Sequence, residues 1–398
     1  MIFGVTGISF ERGRRALSGG PYFRRDRGED PLQKDLRCEM LVVMTPLIRG
    51  LAGFVFLTLT VGSFAQTLRD AADRSGILVG TAVRPQQLLE PAYAATLARE
   101  FNMIEPEDVM KWETIHPAPD KFDFAQADRL VEFALSHQMK VRGHTLTWHQ
   151  QNPKWLTDTT RTPQQTAQIL EQHIKIVVGH YRGKVFAWDV VNEAFDEGRN
   201  TGKLRSTLWY DRPGIGLADK NYTYIESCFR WAHAADPDAL LFYNDVEAEA
   251  MNAKSDAIYA MVKDFRQRGV PIDGVGLQMH LSNFHPDVAS ISENIARITA
   301  LGLKVHITEL DVSLPVDTDG NPSRADLQQQ ADVYRQIGSA CLAHAGCAAI
   351  QTWGFTDKYS WIPWFTKHTR GAALLFDREY RPKPAYEPLR EAVGAKRR

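Results

Sequence analysis

From Ile77 onward, short apolar runs alternate with stretches in which apolar residues recur three and four positions apart. The runs read as strands at Ile77–Val83, Met103–Ile104, Lys140–Trp148, Val185–Ala194, Ala239–Asp245, Gly274–Met279, Val305–Leu310 and Ala348–Gly354. Helical patterns follow each at Pro85–Glu100, Phe124–His137, Pro163–Tyr181, Tyr222–Ala235, Ala253–Arg268, Ser290–Ala300, Ala325–His344 and Pro384–Val393. Arg268-Gly269-Val270-Pro271 and Leu301-Gly302 punctuate helix ends. Eight strand–helix units in about 320 residues predict an α/β fold, a single (β/α)8 TIM barrel. A doubly wound open sheet is the alternative, although no Gly-x-Gly-x-x-Gly follows any of the strands. No Ser-, Gly- or Pro-rich linker divides this region, so one domain is expected over 66–398.

The seventh strand carries the first chemical signal. Lys304-Val305-His306-Ile307-Thr308-Glu309-Leu310-Asp311-Val312 ends on two carboxylates. Side chains alternate along a strand, so Glu309 and Asp311 share one face, with His306 and Thr308 on the other. Two acids side by side are costly to bury without partners, so this strand end is either hydrated surface or a working site. A second acid tips the balance. The fourth strand ends Trp188-Asp189-Val190-Val191-Asn192-Glu193-Ala194. In a closed barrel the C-terminal strand ends meet at one mouth, and strands four and seven lie nearly opposite each other. Two carboxyl groups facing across that mouth suit glycosidic cleavage. A gap of about 5–5.5 Å gives a retaining reaction and a wider one an inverting reaction.

Other strand ends carry groups that suit sugar hydroxyls and sugar C–H faces. They are Glu107, Asp108 and Lys111 after strand two; His144 to His149 after strand three, including Trp148; Gln278 and His280 after strand six; and Trp353 to Asp357, then Trp361, after strand eight. The imidazoles His144, His149, His280 and His306 also raise metal ligation, but no His-Glu-x-x-His occurs and parity turns His306 away from Glu309. Residues 66–398 carry 38 basic and 42 acidic side chains. That balance leaves no basic stripe for a nucleic-acid partner.

These motifs resemble glycoside hydrolase family 10, the retaining endo-β-1,4-xylanases, from about Ile77 to Val393. The resemblance implies a (β/α)8 barrel, no cofactor or metal, xylan or xylo-oligosaccharides as partner, and a cleft at the strand C-terminal ends. It implies Glu309 as nucleophile and Glu193 as acid/base. Glu107 and Lys111 match positions that hold the sugar two sites from the cut on the glycone side. Asp108 stands where the family commonly has Asn, which changes hydrogen bonding at that distal subsite. His144, Trp148 and Asn192 match positions around the sugar at the cut, and Gln278 and His280 partners of the nucleophile and the 2-hydroxyl. Asp311 matches a group behind His280, Trp353 and Trp361 an aromatic wall, and Cys341 and Cys347 a pair that some members bridge. Another β-1,4 specificity and a non-catalytic sugar-binding barrel are the rival readings. A monomer is expected.

The chain's start reads as processing signal. Met44-Thr45-Pro46-Leu47-Ile48-Arg49 carries one charge, Leu51–Val61 is nearly all apolar, and Ser63-Phe64-Ala65 offers small residues before Gln66. Residues 44–65 therefore read as a secretory signal peptide, too short to span a bilayer as an anchor. Residues 1–43 lack a period and read as disordered or as an artefact of start-site choice. The mature enzyme is expected to be secreted or periplasmic, with no membrane association after cleavage. Export would also let Cys341 and Cys347 close a small loop; otherwise they are two packed thiols. N-terminal sequencing of the exported protein is expected to begin at Gln66; a start well upstream overturns the signal-peptide reading.

Overall fold

The computed structural model describes residues 66–395 apart from 159, 213, 215–221, 283 and 284. The leader and signal peptide expected over 1–65 lie outside the described residues. Eight strands form the barrel: β1 Leu78–Val83, β2 Met103–Pro106, β3 Lys140–Gly143, β4 Ala187–Asn192, β5 Leu240–Asp245, β6 Gly274–Leu277, β7 Lys304–Val312 and β8 Cys347–Thr352. Each pairs in parallel with its neighbours, and β8 pairs with both β7 and β1. The ring is thus closed, and the open-sheet alternative is excluded. The outer helices are α1 Pro91–Glu100, α2 Ala125–Ser136, α3 Pro163–His180, α4 Thr223–Ala235, α5 Ala253–Gln267, α6 Val288–Thr299, α7 Arg324–Leu342 and α8 Tyr386–Gly394.

Local chemistry sets several boundaries. Thr162 caps α3 by accepting from the Gln165 N–H while the Gln165 side chain accepts from the Thr162 N–H, with Pro163 at the first helical position. The first predicted helix is broken in two, a 3-10 turn at Pro85–Leu89 and then α1. Pro91 bars the preceding Glu90 from helical angles, and Glu90 is extended at φ −92° and ψ 111°. The third strand stops at Gly143 rather than Trp148; beyond it the Leu146 N–H donates to the Asp189 carbonyl and the Thr147 carbonyl accepts from the Asn192 N–H, so the segment still follows β4. The predicted sixth strand, Gly274–Met279, ends as β6 at Leu277, and His280–Leu281 form a separate two-residue pairing with β7.

Two bulges matter most. On β4, Asp189 and Val191 pair with the consecutive residues Phe242 and Tyr243, so one residue of β4 is extra. On β7, Ile307 and Leu310 pair with Ile350 and Thr352 of β8. The other flank agrees: Ile307 faces Leu277 and Asp311 faces His280. Strand parity placed Thr308 opposite Glu309, and the bulge overturns that. Both side chains now meet the same Asn244 amide, Thr308 Oγ1 at 2.7 Å and Glu309 Oε1 at 2.8 Å.

The barrel interior is polar. Arg142 of β3 is fully buried, paired with Asp189, 3.7 Å from Glu105, 2.7 Å from His306 Nδ1 and 4.5 Å from the centre of the Phe242 ring. Gln351 donates to Glu105 and to the Thr308 carbonyl. The contacts of Arg142 with His306 of β7 and Phe242 of β5, and of Gln351 with Glu105 of β2, join strands that are not neighbours and so cross the lumen. Buried ions need such partners; removing one side of such a pair typically costs about 3–5 kcal/mol. Glycine on β6 makes room, since a Cβ on Gly274 would lie 2.3 Å from Phe242 Cε1.

Behind the mouth, an aromatic block braces the connection that follows β2. Trp112 stacks on His173 of α3, with ring centres 3.6 Å apart, and donates its Nε1–H to the Leu146 carbonyl. His116 Nε2 faces the Pro119 carbonyl at 3.2 Å and so carries the proton; its Nδ1 then accepts from His173 Nδ1–H, also at 3.2 Å. The His116 ring, accepting at Nδ1, is therefore neutral. Burial holds the His173 pKa well below its ordinary 6.5, reinforced by the neighbouring His116. A histidine kept neutral in the fold contributes stability that is full above about pH 6.5 and is lost as pH falls. The effect is about 1.4 kcal/mol per pH unit for one proton. His173→Phe, which keeps the stack but cannot protonate, is expected to flatten unfolding free energy against pH between 6.5 and 5, measured by urea denaturation.

Candidate active site

Glu193 follows β4 directly, at φ +54°, where the bulged strand turns out of the sheet. Its Oε2 accepts from Trp148 Nε1 at 2.9 Å, and its Oε1 from Gln278 Nε2 at 3.0 Å and Asn192 Nδ2 at 3.3 Å. Glu309 lies on β7, with Oε1 accepting from Asn244 Nδ2 at 2.8 Å and Oε2 from His280 Nε2 at 3.1 Å. The two acids are linked through amides. Asn244 Nδ2 and Gln278 Nε2 both donate to Asn192 Oδ1, at 2.8 and 3.2 Å. Since Asn244 gives the same nitrogen to a carboxylate, Asn192 must present oxygen to it. The expectation that strands four and seven bring two carboxyl groups to one mouth therefore holds.

Charges divide the two acids. His280 Nδ1 faces Asp311 Oδ2 at 2.9 Å, and that same oxygen accepts from Trp361 Nε1 at 2.9 Å. With carboxylates on both nitrogens, both must be protonated, and the ring is an imidazolium. Burial pulls the His280 pKa down, but the Asp311 carboxylate and the hydrogen bonds to Asp311 and Glu309 together raise it well above its ordinary value. The converse applies to Glu309. Burial pushes its pKa up, yet the hydrogen bond and charge of His280, then His144 and Asn244, bring it below the usual carboxylate range. Glu309 is thus held ionised.

Lys111 is buried, its Nζ 4.7 Å from the Trp148 ring centre and 5.5 Å from that of Trp353. Burial lowers its pKa while Glu309, Glu107, Asp108 and Glu193 all act to raise it, so it sits within electrostatic reach of the four acids. Glu107 accepts from Arg84 Nη2 at 2.6 Å, and Asp108 Oδ2 lies 3.5 Å from Arg84 Nε. His144 turns Nδ1 to Asp189 and Glu105, at 3.0 and 3.2 Å, and stands edge-on to Trp353. The sequence-predicted residues Glu107, Asp108, Lys111, His144, Trp148, Asn192, Glu193, Gln278, His280, Glu309, Asp311, Trp353 and Trp361 thus belong to one connected region. Cys341 and Cys347 lie apart from it, their sulfurs 2.01 Å apart where α7 hands over to β8.

Sequence reasoning missed Asn244, Arg84 and the group beneath His144. Asn244 had a readable signal, a polar pair at the C-terminal end of the fifth apolar run. Glu105, Arg142 and Asp189 had none, because alternation does not reveal which face lines a lumen. Glu105, His144 and Asp189 bring ligand atoms within 4.8 Å of one another, spacing that suits a cation. The Arg142 guanidinium already pairs with Asp189 and lies beside Glu105 there.

Residues 67–392 match Glycosyl hydrolase family 10. The chain belongs to that family. It is 42% identical over 356 residues to an endo-1,4-beta-xylanase B of Thermotoga neapolitana, covering 88% of this chain and 99% of that one. It is 40% identical to a beta-1,4-xylanase of Dictyoglomus thermophilum over 301 residues, 74% of this chain and 82% of that one. Among solved structures, native xylanase 10B from Thermotoga maritima superposes with a TM-score of 0.77 at 43% identity, covering 82% of this chain and 98% of that one. Xylanase 10B from Thermotoga petrophila in complex with xylobiose gives 0.77 at 42%, covering 82% and 97%.

The family 10 site is rigid because its amides are shared. Asn244 needs the empty space over Gly276, where a Cβ would lie 2.1 Å from Asn244 Oδ1 and 2.9 Å from Thr308 Cγ2. Gly276→Ala is expected to displace Asn244 from Glu309, lowering kcat at least about tenfold, with a stability loss of about 1–3 kcal/mol. Steady-state kinetics and thermal unfolding check both; native kcat in that variant removes Asn244 from the account.

Proposed function

We propose that this family 10 enzyme is a retaining endo-β-1,4-xylanase that cleaves internal xylosidic bonds by double displacement. The carrying observation is the unequal wiring of two carboxyl groups on one amide relay: Glu309 beside an imidazolium, Glu193 accepting from the neutral N–H groups of Trp148, Gln278 and Asn192. The names of the similar proteins support xylan as substrate. Glu309, ionised, attacks the anomeric carbon. Its oxygen–carbon bond forms as the glycosidic C–O bond breaks, and Glu193 passes its proton to the leaving oxygen. In the second half Glu193 takes a proton from water, the water oxygen bonds to the anomeric carbon, and Glu309 leaves as carboxylate.

In this reading the remaining residues bind sugar. His144, Trp148 and Asn192 surround the ring at the cut, with Gln278 and His280 at the nucleophile and the 2-hydroxyl. Glu107, Asp108 and Lys111 take the next ring on the glycone side, and Trp353 and Trp361 form an aromatic wall. Asp311 sets the charge of His280. The part that works is residues 66–398, exported behind the signal peptide at 44–65 to the periplasm or the medium, with Cys341 and Cys347 oxidised there.

Glu309→Ala is expected to lose roughly 10⁴-fold or more in kcat even on aryl xylobiosides. Glu193→Ala is expected to keep the first step on substrates with good leaving groups, with azide restoring turnover and yielding the β-glycosyl azide. Proton NMR of xylan digestion is expected to show the β-anomer first and a ladder of oligomers. An α-anomer first, or near-native Glu309→Ala, overturns the proposal.

A further inference from the structure

Arg84 is the first residue after β1, and the Glu107 N–H donates to the Val83 carbonyl at 3.0 Å. That bond sets the ends of the first two strands side by side, with Arg84 against the Glu107-Asp108 pair. The Arg84 backbone N–H is itself anchored on Gln87 Oε1 at 2.9 Å. One guanidinium serves both acids, Nη2 at 2.6 Å from Glu107 and Nε at 3.5 Å from Asp108. Glu107 is 9% exposed at its side chain, Asp108 33% and Arg84 47%. Burial pushes the Glu107 carboxyl up, Arg84 pulls it down and the Asp108 charge pushes it up again. Lys111 lies within electrostatic reach of both acids, but it is Arg84 that pairs with them directly.

Asp108 Oδ1 is buried and makes no hydrogen bond to the protein. A carboxylate oxygen can only accept, whereas an amide at this place could also donate. A sugar hydroxyl meeting Asp108 must therefore donate to it. Such a contact is stronger than a neutral one, provided the charge is balanced.

We propose that Arg84 is the positioning residue that lets this chain carry a second carboxylate, Asp108, at its distal glycone subsite. The guanidinium balances and spaces Glu107 and Asp108, and both then accept hydroxyl protons from the second sugar on the glycone side. This rests on the xylanase reading above. The specificity it confers is a preference for substrates that reach this sugar over those that stop at the cut.

The test compares kcat/KM on an aryl β-xylobioside, which spans the subsite, with that on an aryl β-xyloside, which does not. In Arg84→Met the advantage of the two-sugar substrate is expected to shrink about tenfold, chiefly through KM. Adding Asp108→Asn removes the repulsion and is expected to restore the advantage to within about threefold of the native ratio. A merely structural role for Arg84 gives no such rescue. An unchanged ratio in Arg84→Met, or a lost ratio that Asp108→Asn does not restore, overturns the proposal and leaves the xylanase reading intact. Failure of the unaltered enzyme to release reducing sugar from xylan overturns both.

Discussion

One amide nitrogen, Asn244 Nδ2, holds the two halves of the catalytic mouth together. It donates at 2.8 Å to Glu309 Oε1 on one side and at 2.8 Å to Asn192 Oδ1 on the other, while its oxygen accepts from Thr308. A buried amide with every atom engaged has one low-energy orientation, so the carboxyl groups it connects inherit fixed positions. Each neighbouring feature serves this arrangement. The β7 bulge brings Thr308 and Glu309 to the same amide, the β4 bulge precedes the turn that presents Glu193, and Gly276 leaves the space that Asn244 fills.

Charge is handled by the same logic at greater depth. Beneath the mouth, Glu105 and Asp189 share Arg142 and His144. At the mouth, Glu309 and Asp311 share His280. At the glycone edge, Glu107 and Asp108 share Arg84. In each layer paired acids flank a nitrogen group that lies against both; at the mouth His280 brings Glu309 below the usual carboxylate range, whereas burial still pushes Glu105 and Glu107 up. The working consequence is that Glu309 stays a carboxylate in a place that solvent barely reaches.

Much of this was legible from residues alone. Eight alternating units gave the closed barrel, and acids at the ends of the fourth and seventh runs gave the catalytic pair its strands. Where the reading failed, the failure was local. It joined Pro85 to Glu100 across Pro91, ran the third strand past Gly143, and applied a strict two-residue period to β7. A bulge adds one residue to one strand and inverts every facing after it, and no composition signal marks where that happens.

The chain's own pattern determined the number of units, the order of the strands and which strand ends carry carboxylates, because apolar periodicity and turn residues act over a few neighbouring positions. Only the tertiary structure decided which of those acids share a base, that His144 turns to Asp189, and that Arg84 reaches a pair of carboxylates more than twenty positions away. Closing the ring sets these contacts. Strand ends distant in sequence become adjacent there, and the cost of burying charge then selects the partner each one must find.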